Sequence, residues 1–588
     1  LRSRAGLARW LLAIVLLLLT AQFFRIQILK YTTYALRSDE NRIRELPIPA
    51  ARGTVYDRDG NVVAENVPGY AIVVLPSSTD SLRVVLRELA AILGHSTETN
   101  DRLIASYRQH PNRPVVVDTD ASFAEVSAIE ERRAHLPGGI VIEAAPKRYY
   151  TTGPLLAHIV GYVGEISDAW LKLPEFQDYE PGWLVGQTGI ERVYEGVLSG
   201  TPGIRYVEVN ALGRIVGEFR GREALPAIPG RDLYLNIDLD LQQRVAELFP
   251  DTMAGAVVAL EPASGAVLAM YSAPNFDPNL LVGKVDPDEW MALNSDPGRP
   301  LFNRAVSAAY APGSTFKLAV AGLAMKLGDA TMETEMRIPC RGALRYGNRV
   351  FHDWTPAGHG TLDLMGAIRE SCDVYFYQLG LKVGVDRLLA GVPEFGFGRP
   401  SGIDLPSEVA GIFPPDTAWY TRRYGRRGWT NSVALNLAIG QGENSQSPLK
   451  MAQFFAALAT DGTLRTPRVA RIGPVAEPPG RLPLDDEQLA GLRAALVAVV
   501  NEAGGTARGS RLRDWTLAGK TGTAQNPHGE DHAWFVGYAP AEDPAIVAAV
   551  IVEGGGHGSS TAAPIVSRLV QFYLEKRFPE GPEAVASR

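Results

Sequence analysis

The sequence predicts a multidomain α+β protein. It would have an N-terminal membrane-spanning helix, an elongated α+β module, and a C-terminal domain in which helices cover an antiparallel sheet. Three observations carry this. The chain has 588 residues, where about three or four structural units are expected for such a length. A strongly apolar run over residues 10–21, extended by Phe23 and Phe24, follows Arg2, Arg4 and Arg9. Over residues 231–578, apolar strand-like runs stand at both ends and helical runs lie between them.

Positive charge before an apolar run fits a cytoplasmic N-terminus. The run is short for a membrane span, and a signal-peptide core is the alternative. No small-x-small cleavage site follows, and Gln22-Phe23-Phe24-Arg25-Ile26 continues the helix. Residues 1–30 are therefore expected to be a cytoplasmic tip and an uncleaved single-pass anchor, with the rest of the chain outside the cytoplasm. The net charge of −7 is modest, and no basic block of the kind that points to nucleic acid is present. Two cysteines, Cys340 and Cys372, exclude a disulfide-rich scaffold and leave one disulfide or one metal site open.

Residues 31–45 read as a linker or juxtamembrane helix, opening a module over 31–230. Strand-like runs flank Asp59-Gly60-Asn61, a hairpin signal. Residues 81–93 and 123–135 have helical patterning and mark an inserted head over about 80–136. Strands are expected at Ile140-Val141-Ile142, at Ile159-Val160-Gly161-Tyr162-Val163 and at 206–210, and a helix opening at Gly186-Gln187-Thr188-Gly189-Ile190-Glu191. With no catalytic cluster, the module reads as a spacer or interaction surface.

After a Pro-containing linker over 224–230, a new domain begins near 232. Apolar strands at 256–260 and 266–270 are joined by Pro262-Ala263-Ser264-Gly265. Helices follow at 318–325, 362–369 and 374–383, strands at 517–525, 533–538 and 546–552, and a closing helix at 564–578. Residues 579–588 read as a disordered tail.

Three short motifs occupy telling places. Pro312-Gly313-Ser314-Thr315-Phe316-Lys317 opens a helix, so Ser314 and Lys317 share a face one turn apart. A buried, neutral amine there would activate a serine hydroxyl, and backbone N–H groups at the helix start would meet an oxyanion. Ser371-Cys372-Asp373 stands at a helix–helix junction, and Lys520-Thr521-Gly522-Thr523 lies in an apolar strand. Any one of them alone is more simply a helix cap or a strand edge. By residue type, Ser314 is the nucleophile, Lys317 its base, Ser371 a proton relay and Asp373 the group that orients it. Lys520 supplies a fixed positive charge for a substrate carboxylate. Thr521 and Thr523 offer hydroxyl donors, and Gly522 allows close approach of a substrate backbone.

The order and setting of the three motifs resemble the penicillin-binding transpeptidases and serine β-lactamases. The likeness extends to Arg52-Gly53 through Asp57-Arg58-Asp59-Gly60, to Gly186–Glu191 (written in full above), to Asn303-Arg304-Ala305 and to Gly440-Gln441-Gly442. Together with the anchor, these identify a class B penicillin-binding protein with a non-catalytic pedestal and a serine β-lactamase-like catalytic domain. The Asp at 373, Tyr375-Phe376-Tyr377-Gln378-Leu379 and Ser401-Gly402-Ile403-Asp404-Leu405 look like the elongation branch, the septal FtsI type being the alternative. The resemblance implies D,D-transpeptidation of peptidoglycan stem peptides through an acyl-Ser314, with D-Ala-D-Ala carboxypeptidase activity when water is the acceptor. It further implies an oxyanion hole from the Ser314 and Thr523 N–H groups, and acylation by β-lactams. The implied partners are the RodA glycan polymerase and MreC, and the implied location is the inner (cytoplasmic) membrane with a periplasmic catalytic domain. A β-lactamase fits poorly beside the long pedestal. A non-catalytic activator fits poorly beside the intact Ser314, Lys317, Ser371 and Lys520.

Cys340, Asp353, His359 and Cys372 make a reasonable tetrahedral set for zinc. Some elongation-type members carry zinc ligands in this stretch, with Asp where Cys340 stands here. The resemblance thus implies a structural zinc and no cofactor for the serine chemistry. His352 competes with Asp353 as a ligand. A Cys340–Cys372 disulfide, favoured by an oxidising compartment, or two unpaired buried thiols are the alternatives.

Overall fold

A computed structural model describes residues 2–30 and 43–581, apart from 77, 110–113, 178, 180, 210–214, 220, 284, 333–335, 474–479 and 528. Of the stretch expected as linker over 31–45, residues 31–42 lie outside the described residues, as does the tail over 582–588, and residues 43–45 are strand instead, paired with 206–208.

Helix α1 (Arg2–Phe24) runs on through a π-helical turn, Arg25–Leu29. Its apolar part, Gly6–Leu29, has 24 residues and a mean hydropathy of 2.1, and none of it is buried against the rest of the chain. At 1.5 Å per residue that is about 36 Å, enough to cross a bilayer core. The apolar helix is thus longer than the 10–21 run suggests, because Gln22 and Arg25 do not interrupt it.

The pedestal is built on β1 (Ile43–Ile48), β2 (Val55–Tyr56), β3 (Val62–Val74), β4 (Val115–Ala121) and β5 (Ile140–Tyr150). The turn at Asp59-Gly60-Asn61 makes the expected antiparallel β2–β3 hairpin, with the Asp57 carboxylate accepting from the Asp59 and Asn61 N–H groups. Helices α2 (Thr79–Leu93), α3 (Thr97–Gln109) and α4 (Phe123–Glu131) form the head. Its apolar faces meet in a separate small core that includes Leu82, Leu86, Leu89, Ile104 and Ile129.

One expected strand is not a strand. Ile159 and Val160 belong to a short helix, α5 (Ala157–Val160), and extended structure begins only at β6 (Val163–Glu165). Gly161, at φ +76°, ends the helix, and a Cβ there would lie 2.0 Å from the Thr188 carbonyl oxygen. The apolar run is continuous because helix and strand are both buried, so periodicity could not separate them. β6 pairs with β7 (Leu184–Gly186), which leads into α6 (Gly189–Val193). β8 (Gly203–Val209) pairs with β1 and with β9 (Ile215–Glu218).

A buried charge cluster ties these segments together. Glu191 on α6 is fully buried between Arg52 Nη2 (2.7 Å) and Arg148 Nε (2.7 Å). Arg52 also reaches Glu195 Oε2 at 2.9 Å, and Arg148 donates to the Gly53 carbonyl at 2.8 Å.

β10 (Leu233–Tyr234), near the expected domain start, pairs in parallel with β2 of the pedestal. The catalytic sheet has the order β12–β11–β19–β18–β17 and is antiparallel throughout, with β11 (Gly255–Leu260), β12 (Val267–Ala273), β17 (Ala518–Ala524), β18 (His532–Ala539) and β19 (Ile546–Val552). Every residue of central β19 is buried, which is why it reads as an unbroken apolar run, Ile546-Val547-Ala548-Ala549-Val550-Ile551-Val552. The closing helix α14 (Ala562–Arg577) packs on the sheet with α7 (Leu239–Leu248), and the wholly buried α12 (Pro448–Ala459) packs on it too. Three further helices, α8 (Lys317–Lys326), α9 (Leu364–Arg369) and α10 (Asp373–Val383), bring the motifs to β17, aided by α13 (Asp486–Asn501).

Candidate active site

The segment before Ser314 is fastened on three sides. The Trp534 indole N–H, from β18, donates to the Ala311 carbonyl at 3.1 Å. The Gly313 N–H donates to Gly440 O at 3.0 Å, and the Thr315 hydroxyl to Pro312 O at 2.6 Å. Gly313 has φ +54°, and a Cβ there would come within 2.6 Å of the Thr523 carbonyl oxygen. Glycine therefore lets the turn lie directly on β17. A 3₁₀ turn, Gly313–Phe316, follows and leads into α8. Ser314 is partly exposed, and its Oγ has no hydrogen-bond partner among the described residues.

Lys317 is fully buried beneath that turn. Its Nζ donates to Asp373 Oδ1 (2.7 Å), Ser371 O (2.7 Å) and Ser371 Oγ (3.3 Å). Ser371 has φ +56°, a left-handed conformation that is strained for a side chain and common at functional sites. The next residue, Cys372, caps α10, its Sγ accepting from the Tyr375 N–H at 3.4 Å. Asp373 Oδ1 thus meets the lysine rather than the Ser371 hydroxyl, so Lys317 is not a lone amine but has a carboxylate beside it. The reason is tertiary: α8 and α10 pack side by side, so the first carboxylate of α10 reaches Nζ.

β17 is the edge strand of its sheet, so one side of its backbone is open to strand addition. Lys520 is fully buried, with Nζ donating to Thr521 O at 3.1 Å. Burial, and then the charge of Lys317, push its pKa well below the ordinary lysine range, with Asp373 acting in the opposite sense. An incoming anion would favour its charged form. The Thr521 hydroxyl is engaged with Thr506 Oγ1 at 2.7 Å, leaving Thr523, partly exposed, as the freer hydroxyl. A Cβ on Gly522 would meet Trp534 Cβ at 2.9 Å and Pro312 O at 3.0 Å. The glycine thus makes room for the Ser314 turn.

Gln441, Thr506 and Trp534 escaped assignment to the site. Gln441 Nε2 donates to Thr523 O at 3.1 Å. Its signal was the pair of flanking glycines: Gly440 has φ +70°, and a Cβ there would lie 2.2 Å from Gly313 O.

The four candidate ligands come together beside the Ser371 loop, with one donor atom from each of Cys340, Asp353, His359 and Cys372 lying within 4.8 Å of the others. Asp353 Oδ2 lies 3.2 Å from Cys372 Sγ and 3.4 Å from Cys340 Sγ, and His359 Nδ1 lies 3.6 Å from Cys340 Sγ and from Asp353 Oδ1. A tetrahedral zinc with bonds of about 2.0–2.3 Å has donor–donor edges of about 3.3–3.8 Å, so the donor set fits. Both thiols are free, not joined in a disulfide. Burial opposes ionisation of Asp353, but the Val374 N–H, the Cys372 thiol, His359 and Lys317 outweigh it and hold its pKa below the usual carboxylate range. The His352 carbonyl accepts from the Tyr377 hydroxyl, and it is Asp353 that belongs to the four-residue cluster.

Residues 255–571 match the family described as penicillin binding protein transpeptidase domain, and residues 47–235 the penicillin-binding protein dimerisation domain. The chain is similar to the peptidoglycan D,D-transpeptidase MrdA of Haemophilus influenzae, 36% identical over 96% of this chain and 91% of that one. Among solved structures, the complex between PBP2 and MreC from Helicobacter pylori matches with a TM-score of 0.79 at 30% identity, covering 91% of this chain and 99% of that one. A peptidoglycan synthase complex, described as coordinating polymerization and crosslinking, matches with a TM-score of 0.67 at 31% identity over 97% of both chains.

Proposed function

The chain belongs to the class B penicillin-binding proteins, and from that membership we propose that it cross-links peptidoglycan as a serine D,D-transpeptidase of the elongation type. The observation that carries the reading is the Ser314 turn, held on an edge strand above a buried Lys317 that touches both Ser371 and Asp373. In this reading Ser314 Oγ attacks the carbonyl of the penultimate D-Ala. Its proton passes to Lys317 acting as the base, with Asp373 Oδ1 holding Nζ in place at 2.7 Å. The N–H groups of Ser314 and Thr523 meet the oxyanion. Ser371 takes that proton from Lys317, 3.3 Å away, as it gives its own to the nitrogen of the terminal D-Ala, and the C–N bond to the penultimate carbonyl breaks so that D-Ala departs. The amine of a neighbouring stem peptide then attacks the ester and frees Ser314. Water in its place gives carboxypeptidase activity. The terminal carboxylate seats near Lys520 and Thr523, and a β-lactam acylates Ser314 as a substrate mimic.

Labelling the full chain with a fluorescent penicillin tests this. A stable adduct mapped to Ser314 and missing in Ser314→Ala is expected. A folded chain that takes no label would overturn the reading, and rapid turnover of the drug would make the protein a β-lactamase instead.

Helix α1 supports a single-pass anchor in the cytoplasmic membrane with the catalytic domain on its outer side. The similarity to PBP2 in its MreC complex, and to a synthase complex, supports MreC and a RodA-type polymerase as partners of this chain.

The same chemistry of donors supports a zinc held by Cys340, Asp353, His359 and Cys372. Bound there, the metal would brace the Ser371-Cys372-Asp373 junction and take no part in acyl transfer. About one zinc per chain is expected by elemental analysis, falling to background in Cys340→Ser. Full metal-free activity at unchanged thermal stability would remove the assignment.

A further inference from the structure

Helix α11 (Thr417–Tyr424) and the turn after it carry Arg422, Arg423, Arg426 and Arg427, all exposed. The only acid between residues 415 and 430 is Asp416, 3.9 Å from Arg422. Arg426 and Arg427 have no ion-pair partner among the described residues. This block stands against the sign of a chain whose net charge is −7.

An ordinary solvated face would be loose, and this one is not. The Arg423 guanidinium lies 5.5 Å from the ring centroids of both Trp419 and Tyr424. Tyr420, wholly buried, stacks with Tyr424 and packs on Trp429, whose indole N–H donates to Thr421 Oγ1 at 3.1 Å. The Tyr420 and Tyr424 hydroxyls donate to Glu443 at 3.2 and 2.7 Å. Glu443 is two residues, at most about 7 Å of chain, from Gln441, which binds the Thr523 carbonyl. The helix that carries Arg422 and Arg423 is thus tied through Glu443 to the segment that holds Gln441, and Glu443 is satisfied by tyrosines and not by the arginines.

We propose that this arginine–aromatic face is a subsite for the free carboxylates of an uncross-linked peptidoglycan strand, holding it while a stem peptide reacts at Ser314. Guanidinium groups take carboxylates two bonds at a time, and stacking on rings orients them beforehand. The inference rests on the peptidoglycan reading above and adds where the strand is gripped. An anionic membrane would also attract arginines, but it would leave the link to Thr523 without a role.

The test uses the full chain in detergent and soluble glycan strands bearing stem peptides, either native or with their carboxylates amidated. Binding to native strands is expected to weaken about tenfold or more on amidation. A similar loss is expected in the combined variant Arg422→Gln, Arg423→Gln, Arg426→Gln and Arg427→Gln, with partial recovery when all four become Lys. Equal binding of native and amidated strands overturns the subsite whatever the variants do. So does strand binding unchanged in the Gln variant, or an arginine dependence found only with phosphatidylglycerol vesicles. Penicillin labelling of Ser314 in the unaltered chain reads the catalytic proposal separately. If it fails while strand binding follows the arginines, the chemistry falls and the subsite stands.

Discussion

Lys317→Ala is expected to slow acylation of Ser314 by penicillin about a thousandfold, the usual order for loss of a positioned base. That variant alone would be ambiguous. Removing the amine empties the fully buried space beneath the Ser314 turn and leaves Asp373 Oδ1, Ser371 O and Ser371 Oγ without their common donor. An acceptor stranded in this way costs about 1–3 kcal/mol, so slow acylation could reflect a slack site. The double variant Lys317→Met, Asp373→Asn separates the two. It keeps the buried volume and removes both charges together, which is far milder than removing one. Thermal unfolding of the double variant is expected to return most of the way to that of the unaltered chain, while acylation stays about a thousandfold slow. Recovery of acylation together with stability would show that Lys317 only holds the turn in place.

Ser314 and Lys317 were legible because one helical turn fixes their relation, and any helix start would give it. The Lys520 strand was legible because it lies in the first of three successive apolar runs, 517–525, 533–538 and 546–552, that are short enough to read as strands. The partner of Asp373 was not legible, since it depends on the side-by-side packing of α8 and α10. Nor was the tenant of the space at Gly522: the rule that glycine admits a close backbone held, but the backbone was the chain's own, through Pro312. Helix α3, Thr97–Gln109, was overlooked because its sequence is polar and it packs on the head through few residues, among them Ile104 and Tyr107. The arginines of α11 were hidden by a net charge that averages over the whole chain.

The largest effect on stability is expected in the pedestal, at Glu191. This carboxylate is fully buried, with Arg148 on one oxygen and Arg52 on the other. The three residues come from the link after β1, from β5 and from α6, so their meeting fixes how those segments cross. Glu191→Ala leaves two guanidinium groups facing each other, with only Glu195 and carbonyl oxygens for company, a loss of about 3–5 kcal/mol. For a unit of this size that corresponds to a fall of about 10 °C in the pedestal transition seen by calorimetry on the full chain. The acid limb provides a second readout. Burial alone would raise the Glu191 pKa, but Arg148, then Arg52, outweigh it and hold it below the usual carboxylate range. As pH falls the unfolded chain therefore takes up this proton first. The stabilisation is complete above about pH 4.5 and drains away as pH drops through the folded-state value. Glu191→Gln should lack this part of the acid slope while keeping the side chain's shape. A pedestal transition that moves by less than about 2 °C in Glu191→Ala would mean that the cluster orders these segments without stabilising them. The joint between α6 and β5 would then be held by apolar packing, with Ile190 and Tyr150 in the same buried core.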